Sequence, residues 1–236
     1  MAASRKRAPR ARGTGIRRDQ KKPATVRSAR QRAAASSYHH GDLRNALLRT
    51  TEELLESAGL ERFTLREVAR RAGVSHGAPA HHFGDARGLL SEFTAQSFND
   101  MAALMATHRQ HAVKDPFEQL VASGIGYVDY ALAHRARFQL MFRSDRLDPE
   151  RESLIEAGAK AYGHLVECTT RITAEIGAPD HTIQQKATLA WSMVHGFATL
   201  LIDNAKFAEQ VDGNPARALA MLREMLTLSR PAFEAR

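Results

Sequence analysis

The chain has 236 residues, 43% of them hydrophobic and 25% charged, which is enough apolar material for one large folded domain or two small ones. Its single cysteine, Cys168, excludes an internal disulfide framework and favours a reducing compartment. No apolar run approaches the roughly 20 residues that span a bilayer, so the sequence predicts a cytoplasmic protein without membrane contact.

The positive charge of the chain is concentrated in its first residues. Residues 1–36 hold 12 Lys and Arg against the single acid Asp19, a net charge of +11, so the total of +8 leaves −3 for the remainder. A stretch this basic, with almost no large apolar side chain, predicts a disordered tail over residues 1–38. Such a tail can neutralise DNA phosphates or enter a minor groove; the alternative is a solvated leader that only aids solubility.

The first periodic segment follows Asp42, which is placed to precede a helix, and Gly59 is placed to end it. The apolar side of this helix consists of Leu43, Ala46, Leu47, Leu54 and Ala58. We expect that side to pack against the two helices that come next.

Residues 64–90 predict a helix-turn-helix. Thr64 and Glu67 have the spacing of a capping box, and Phe63 and Val68 that of a hydrophobic staple. Gly73 is placed to leave the first helix with positive φ. Val74 is apolar and is placed to fill the core after this turn. Ser75 is placed to cap the second helix. The first turn of that second helix would face outward, as in a DNA-reading element.

This segment resembles the DNA-binding domain of the TetR family of bacterial transcription regulators. The resemblance rests on Gly73, Val74 and Ser75, on the sequence His-Phe-Gly-Asp at 82–85, and on the leucine pair at 89–90. Two departures matter, because Pro79 and Ala80 stand where many members carry leucine and tyrosine, and Ala86 stands where a phosphate-contacting lysine is common. The resemblance implies that Arg87 substitutes for that lysine.

The residues expected to contact DNA are Thr64, Arg66, Ser75, His76, Gly77, Ala80, His81, His82 and Arg87. The hydroxyls at the helix starts and the nearby arginine suit phosphate, whereas the histidines can bond base edges. Alanine methyl groups can contact thymine, and shape readout adds to them. For His82 the alternative is packing and hydrogen bonding inside the domain.

The rest of the chain continues in helical periods, and nothing alternates like a strand. A long helix begins near Asp85 and links two domains, and Asp115 with Pro116 starts the next. Later helices run to Gly177, from 187 to 202, and from Asn214 to Pro231. We therefore predict an all-α protein, with a three-helix DNA-binding domain over 39–87 and a helical regulatory and dimerisation domain over 88–236.

Two late helices have the pattern of an interface between chains. The segment 187–202 is apolar nearly all round, so it needs two partners, and the last helix is amphipathic. We predict a homodimer in which these two helices from each chain form a four-helix bundle. The alternative is that both apolar faces are covered within one chain.

A second resemblance concerns the same half. Trp191, His195 and Gly196, with the run 127–142, resemble the TetR subgroup whose regulatory domain is named for a Trp-His-Gly signature. It implies a ligand pocket inside each subunit. The candidate lining residues are Tyr127, Tyr130, Phe138, Met141, Phe142, Trp191 and His195, with the tyrosines and the histidine as polar anchors. The alternative is that most of these side chains pack in the core and do not line a pocket.

The resulting hypothesis is a ligand-responsive repressor that a small molecule of unknown identity releases from a palindromic DNA operator. No enzyme motif, cofactor fingerprint or clustered metal-ligand pattern is present, so we expect no catalytic residues, cofactor or metal. Two alternatives stay open: a non-switching architectural or activating DNA-binding protein that relies on its basic tail, and a metal-responsive regulator that uses paired histidines.

Overall fold

The computed structural model describes residues 29–235, with side chains from residue 43 onward. Contacts divide the chain into two units, 1–40 and 41–236, and all side chains below belong to the second. Residues 1–28 of the predicted disordered tail lie outside the described residues. Residues 29–38, also predicted to be disordered, instead form the beginning of the first helix.

Every element of the described residues is helical, so the prediction of an all-α fold is confirmed. The α-helices there are α1 (Ala29–Ala58), α2 (Leu65–Arg71), α3 (Ala78–Phe83), α4 (Ala86–His111), α5 (Pro116–Ala133), α6 (Arg135–Met141), α7 (Glu152–Ile176), α8 (Thr182–Asp203), α9 (Ala205–Ala208), α10 (Pro215–Leu228) and α11 (Arg230–Glu234). Short 3₁₀ turns cover Leu60–Arg62, Ser144–Arg146 and Glu209–Val211.

Three predicted helix ends outside the helix-turn-helix differ from the structure. The first is the start of α8, which lies at Thr182 and not at residue 187. The predicted start at Asp42 is wrong, because α1 already begins at Ala29, within an alanine-rich run of high helix propensity. The last predicted helix is divided, because α10 ends at Leu228 and Pro231 lies in the first turn of α11, where its missing N–H costs no hydrogen bond. Gly59 does follow α1, with a positive φ of 75°.

A small core joins α1, α2, α3 and the beginning of α4. Its members include Leu47, Leu54, Val68, Phe83 and Phe93, each at most 3% exposed. Phe63 and Val68 are both buried in this core, as the predicted staple requires. Two leucines from beyond these helices, Leu140 and Leu147, complete it.

A large core surrounds α5, which is buried along nearly its whole length. Helices α4, α7, α8 and α10 all pack against α5, and their buried apolar faces meet there. The thiol of Cys168 on α7 is buried in this core.

Helix α4 belongs to both cores. Its first turns place Leu89 and Leu90 in the small core, and its middle places Met101 and Met105 in the large one. Helix α4 therefore connects the large core to the helix-turn-helix. Within residues 29–235, every helix is too short or too polar to span a lipid bilayer.

Candidate functional site

The first helix of the predicted motif, α2, is capped by one half of the expected capping box. The Thr64 hydroxyl accepts a hydrogen bond from the Glu67 backbone N–H at 3.1 Å. The Glu67 carboxylate does not return to the cap; it accepts from Arg70 at 2.6 Å and from Arg71 at 2.9 Å. These arginines lower the pKa of Glu67 to about 2, since hydrogen bonds from both favour its charged form.

The turn between α2 and α3 follows the predicted glycine geometry. Gly73 has φ +68°, a conformation that glycine adopts without steric cost, and Val74 packs against the small core. The prediction that Ser75 caps the second helix is wrong: α3 begins at Ala78 with Gly77 at the cap position. Ser75 holds the turn through its carbonyl, which accepts from the Ala78 N–H at 3.0 Å.

Most of the predicted DNA contacts lie together on the surface of this motif. We define residues 75–83 as the reading segment. Thr64, Arg66, Ser75, His76, Gly77, Ala80 and His81 are exposed, which leaves their polar groups accessible to a partner. His82 is half-buried, and its ring lies 6.2 Å from that of Phe83, so it fits the packing alternative better than the others do.

Arg87 is placed differently from a free phosphate contact. Its Nε donates to the carbonyl of Leu147 at 3.1 Å, and its Nη2 donates to the same oxygen. Two arginines come from the α6–α7 connection (residues 142–151). Arg146 donates to the Leu60 carbonyl, in the turn before α2, at 3.3 Å, and Arg151 donates to the Phe83 carbonyl, at the end of α3, at 3.2 Å. The end of the reading segment is thus held by the α6–α7 connection.

A charged cluster makes a further link between the halves. The guanidinium of Arg137 on α6 donates to both oxygens of Glu52 on α1, at 2.7 and 2.6 Å, and to Asp100 at 2.9 Å. It also lies 5.0 Å from the ring centre of Phe93. The hydrogen bond from Arg137 lowers the pKa of Glu52 below its ordinary value of 4.5.

The large core encloses a cavity of about 300 Å³, which we call the main cavity. Helices α4, α5, α7, α8, α10 and α11 all contribute to its wall. Its aromatic lining residues are Phe98, Phe117, Tyr127, Phe142, Tyr162, Trp191 and Phe233. A cavity of this size with an apolar wall is typical of sites for small organic molecules.

Three of the seven predicted ligand residues line the main cavity: Tyr127, Phe142 and Trp191. His195 and Phe138 line a second, more open cleft of about 470 Å³ between the Leu60–Arg62 turn and helices α6 and α8. Tyr130 and Met141 are buried in the large core, outside the lining of either space.

Tyr127 and His195 are nevertheless connected. The Tyr127 hydroxyl lies 2.9 Å from the Nδ1 of His195, within hydrogen-bond distance. Burial raises the pKa of Tyr127 well above its usual range and lowers the pKa of His195 below 6.5. Both groups are therefore neutral at pH 7, and the pair brings no charge to the cavity wall.

Sequence reasoning missed lining residues on α4 and α7. Phe98 and Met101 come from α4 and Tyr162 from α7, all on helices that the sequence did predict. Their apolar faces were readable from periodicity, but the gap between those faces depends on how the helices pack. Gly158 gave a usable signal, since a glycine inside a helix marks a place without a side chain.

An apolar surface lies on the two helices predicted to form a dimer. On α8, Leu189 and Leu200 are 39% and 44% exposed, and on α10, Met221 and Leu228 are 37% and 82% exposed. Gly196 lies on the same side of α8 as these leucines, and a Cβ there would meet no atom within 4 Å. Within one chain, this surface is uncovered.

The described side chains contain no group of three or more His, Cys, Asp or Glu that could hold a metal ion. His39 and His40 lie outside the side chains described.

Two family models match the chain. The model described as "Bacterial regulatory proteins, tetR family" matches residues 47–93, and the one described as "Tetracyclin repressor-like, C-terminal domain" matches residues 120–226. The two matches fall on the helix-turn-helix and on the cavity-bearing half. They do not confirm the finer resemblance to the Trp-His-Gly subgroup, which stays a prediction.

Individual relatives agree with these matches. The HTH-type transcriptional regulator BetI of Stenotrophomonas maltophilia is 35% identical over 86 residues, which are 36% of this chain and 44% of that protein. The chain spans less than half the length of the curated relatives it matches.

Solved structures extend the similarity to most of the chain. A protein of unknown function from a Rhodococcus species is 30% identical, with a TM-score of 0.65 over 84% of this chain and 96% of that one. PfmR, a TetR family transcriptional regulator from Thermus thermophilus, is 21% identical, with a TM-score of 0.59 over 78% and 94% of the two chains, a likeness of fold alone.

Proposed function

Because the chain belongs to the tetR family of DNA-binding bacterial regulatory proteins, a family of transcription regulators and not of enzymes, we propose that it is a repressor released from a palindromic operator by a small molecule. The observation that carries this proposal is α4, which lines the main cavity with Phe98 and Met101 and holds the helix-turn-helix through Leu89 and Leu90. An occupant of the cavity can therefore alter the position of the reading segment.

In this proposal residues 39–87 bind DNA and residues 88–236 regulate and dimerise. The reading segment enters the major groove, where His76 and His81 are exposed and able to bond base edges. The cap of α2, with Thr64 and the exposed Arg66, contacts phosphate. Arg87 is engaged with Leu147, so a phosphate contact requires it to leave that carbonyl. A cytoplasmic location follows from this role.

The proposed release uses the contacts between the halves. An effector that pushes on Phe98 or Phe142 displaces α4 or the α6–α7 connection. That connection holds the Phe83 carbonyl through Arg151, so the reading segment moves with it. In a dimer, the two segments then no longer match half-sites that lie one or more turns of about 10 base pairs apart.

The proposed homodimer forms through α8 and α10. Leu189, Leu200 and Met221 are exposed in the single chain, and the bare backbone at Gly196 permits close helix approach. The test is sedimentation of the Leu200→Glu variant, which should be a monomer where the unmodified protein is a dimer. Ile155→Glu is the matched control, because Ile155 is 55% exposed and belongs to α7, which is not part of the proposed interface. A dimer in both variants would contradict this interface.

The test of DNA recognition is selection of bound fragments from random duplex DNA by the full chain, followed by a salt titration. We expect an inverted repeat, and its recovery should be lost when His76 and His81 are both changed to Ala. His181→Ala is the control, since His181 is exposed at the start of α8. Binding without a motif, abolished by deletion of residues 1–36 and steeply weakened by salt, would instead favour the architectural alternative.

Affinity for the selected operator, measured with and without metal ions, also tests the metal-responsive alternative. Zinc or copper that changes operator affinity, with reversal by a chelator, would favour that alternative. If only organic molecules release the operator, the repressor proposal stands.

A further inference from the structure

The wall of the main cavity carries no charge. None of the described lining residues is Asp, Glu, Lys, Arg or His. Tyr127 of the wall and its partner His195 are both neutral at pH 7, because burial raises the pKa of Tyr127 and lowers the pKa of His195. An ion that enters this space loses its hydration without gaining an opposite charge, which costs several kcal/mol.

The polar atoms of the wall are nearly all occupied. The Tyr127 hydroxyl bonds with His195, the Tyr162 hydroxyl accepts from Gln184 at 2.6 Å, and the Ser229 hydroxyl donates to the Leu226 carbonyl at 2.6 Å. These groups already have partners before any molecule enters.

The hydroxyl of Ser123 differs from these paired groups of the cavity wall. Ser123 lies on α5, in the wall of the cavity, and is 1% exposed. Its hydroxyl oxygen is buried and has no hydrogen-bond partner among the described residues. A buried hydroxyl left unpaired costs about 1–3 kcal/mol. Rotation about the Ser123 Cα–Cβ bond would bring this oxygen to the cavity surface, where a molecule that bonds with it gains more than it would from a paired group.

We propose that the effector is an uncharged, largely apolar molecule about two rings in size, with one hydrogen-bonding group that pairs with the Ser123 hydroxyl. This inference rests on the proposed function, in which the main cavity receives an effector. The size follows from the volume, since a cavity of about 150 Å³ holds one benzene ring and this one is about 300 Å³. The polarity follows from the uncharged wall and the single unpaired hydroxyl.

The rival occupant is a quaternary ammonium ion, because aromatic rings can hold such a cation through their faces. The wall lacks a carboxylate to balance the charge of such a cation, so we expect the cation to bind more weakly than a neutral molecule.

The test compares four probes that share the naphthalene ring system: 1-naphthol, naphthalene, 1-naphthoate and trimethyl-1-naphthylammonium. Calorimetric titration measures each affinity, because the naphthalene ring absorbs and emits light in the same range as Trp191 in the cavity wall. We expect the two neutral probes to bind the full-length protein and the two ions to bind at least about a hundredfold more weakly. Equal or tighter binding of either ion, or no binding of the neutral probes, would overturn the inference.

Two variants locate the hydrogen bond. Ser123→Ala should weaken 1-naphthol about two- to tenfold and leave naphthalene unchanged, because only the naphthol can bond with the hydroxyl. Thr173→Val is the matched control, since the Thr173 hydroxyl is also buried and unpaired but lies outside the cavity wall. An equal loss in both variants, or no loss in Ser123→Ala, would contradict the role of Ser123.

A third variant tests the site without touching that hydroxyl. A Cβ at Gly158 would meet no atom within 4 Å, so Gly158→Met can place its side chain in the cavity and should weaken both neutral probes. Gly163 lies five residues further along α7, at an exposed position of the helix, so Gly163→Met should weaken the binding of neither neutral probe. Equal behaviour of the two variants would place the probes elsewhere.

These titrations contain no DNA, so they separate the inference from the proposed function. Neutral probes that bind but never weaken operator binding would contradict effector release and leave the chemistry of the cavity intact. An operator released only by an ion would leave the repressor proposal intact and overturn this inference.

Discussion

The small core and the large core share helix α4 but differ in how fully α4 is packed within them. Phe93 and Phe98 lie five residues apart on this helix. Phe93 is 1% exposed, with Arg137 held over its ring, whereas Phe98 is half-buried and borders the main cavity. Gly88 and Gly158 repeat the contrast, because a Cβ at Gly88 would lie 2.0 Å from the Phe83 carbonyl oxygen and one at Gly158 would meet no atom.

The difference fits the separate functions that we propose for the two halves. A close-packed interior transmits a displacement because it cannot absorb it, so we expect the small core to move as one body with the beginning of α4. An interior with unfilled space can accept a guest molecule at the expense of packing contacts. The comparison predicts unequal responses to the same substitution, and four measurements test it.

The largest effect is expected from Phe93→Ala. Truncation of a fully buried phenylalanine should lower the free energy of unfolding by about 3–5 kcal/mol, because the packed surroundings cannot collapse into the gap. Phe98→Ala on the same helix should cost less than half as much, since Phe98 already borders empty space. Urea denaturation measures both, and equal losses would break the comparison.

Gly88→Ala tests the contact between α4 and the reading segment. The added methyl group meets the Phe83 carbonyl and the Arg151 guanidinium, so backbone must shift. We expect a loss of about 1–3 kcal/mol in thermal unfolding and weaker operator binding even without effector. Unchanged operator affinity together with unchanged stability would show that the contact between α4 and the reading segment accommodates a methyl group at little cost.

Glu52→Gln tests the charged link at the edge of the small core, with an expected loss of about 1 kcal/mol for this partly exposed pair. The pKa of Glu52 is lower folded than unfolded, so its contribution is complete above pH 4.5 and is lost as pH falls through the folded value. Stability curves of the variant and the unmodified protein should therefore converge below pH 4.5. Curves that stay parallel down to pH 3 would contradict this assignment.

The smallest effect is a gain. Gly158→Ala and Gly163→Ala should each raise the free energy of unfolding by about 0.5–1 kcal/mol, because alanine favours the helix and neither methyl group meets an atom. A loss at Gly158 alone, measured by urea denaturation, would mean that the cavity wall closes over this position in solution.

The sequence predicted the helices of the small core in more detail than those of the large core. Thr64, Gly73 and Gly59 act locally, through a cap or a positive φ, so their roles follow from neighbours in the sequence. The capping box failed in its second half because Arg70 and Arg71 compete for Glu67, and both are visible in the sequence.

The cavity wall could be predicted only in part. Tyr127, Phe142 and Trp191 were identified, whereas Ser123 and Tyr162 were not. A helical period tells which side of a helix is buried, but a cavity forms where buried sides fail to meet, and that depends on the rotation and tilt of five or more helices together. His195 shows the limit, because it touches Tyr127 yet lines the neighbouring cleft.

The buried thiol of Cys168 has a practical consequence. Burial raises the pKa of Cys168 to about 11, so at neutral pH little reactive thiolate exists and alkylating reagents cannot reach it. A His76→Cys substitution would then carry the one reactive thiol of the chain. Paired spin labels at this position could record the distance between the two reading segments of the proposed dimer, with and without a guest molecule, while the native cysteine stays in place.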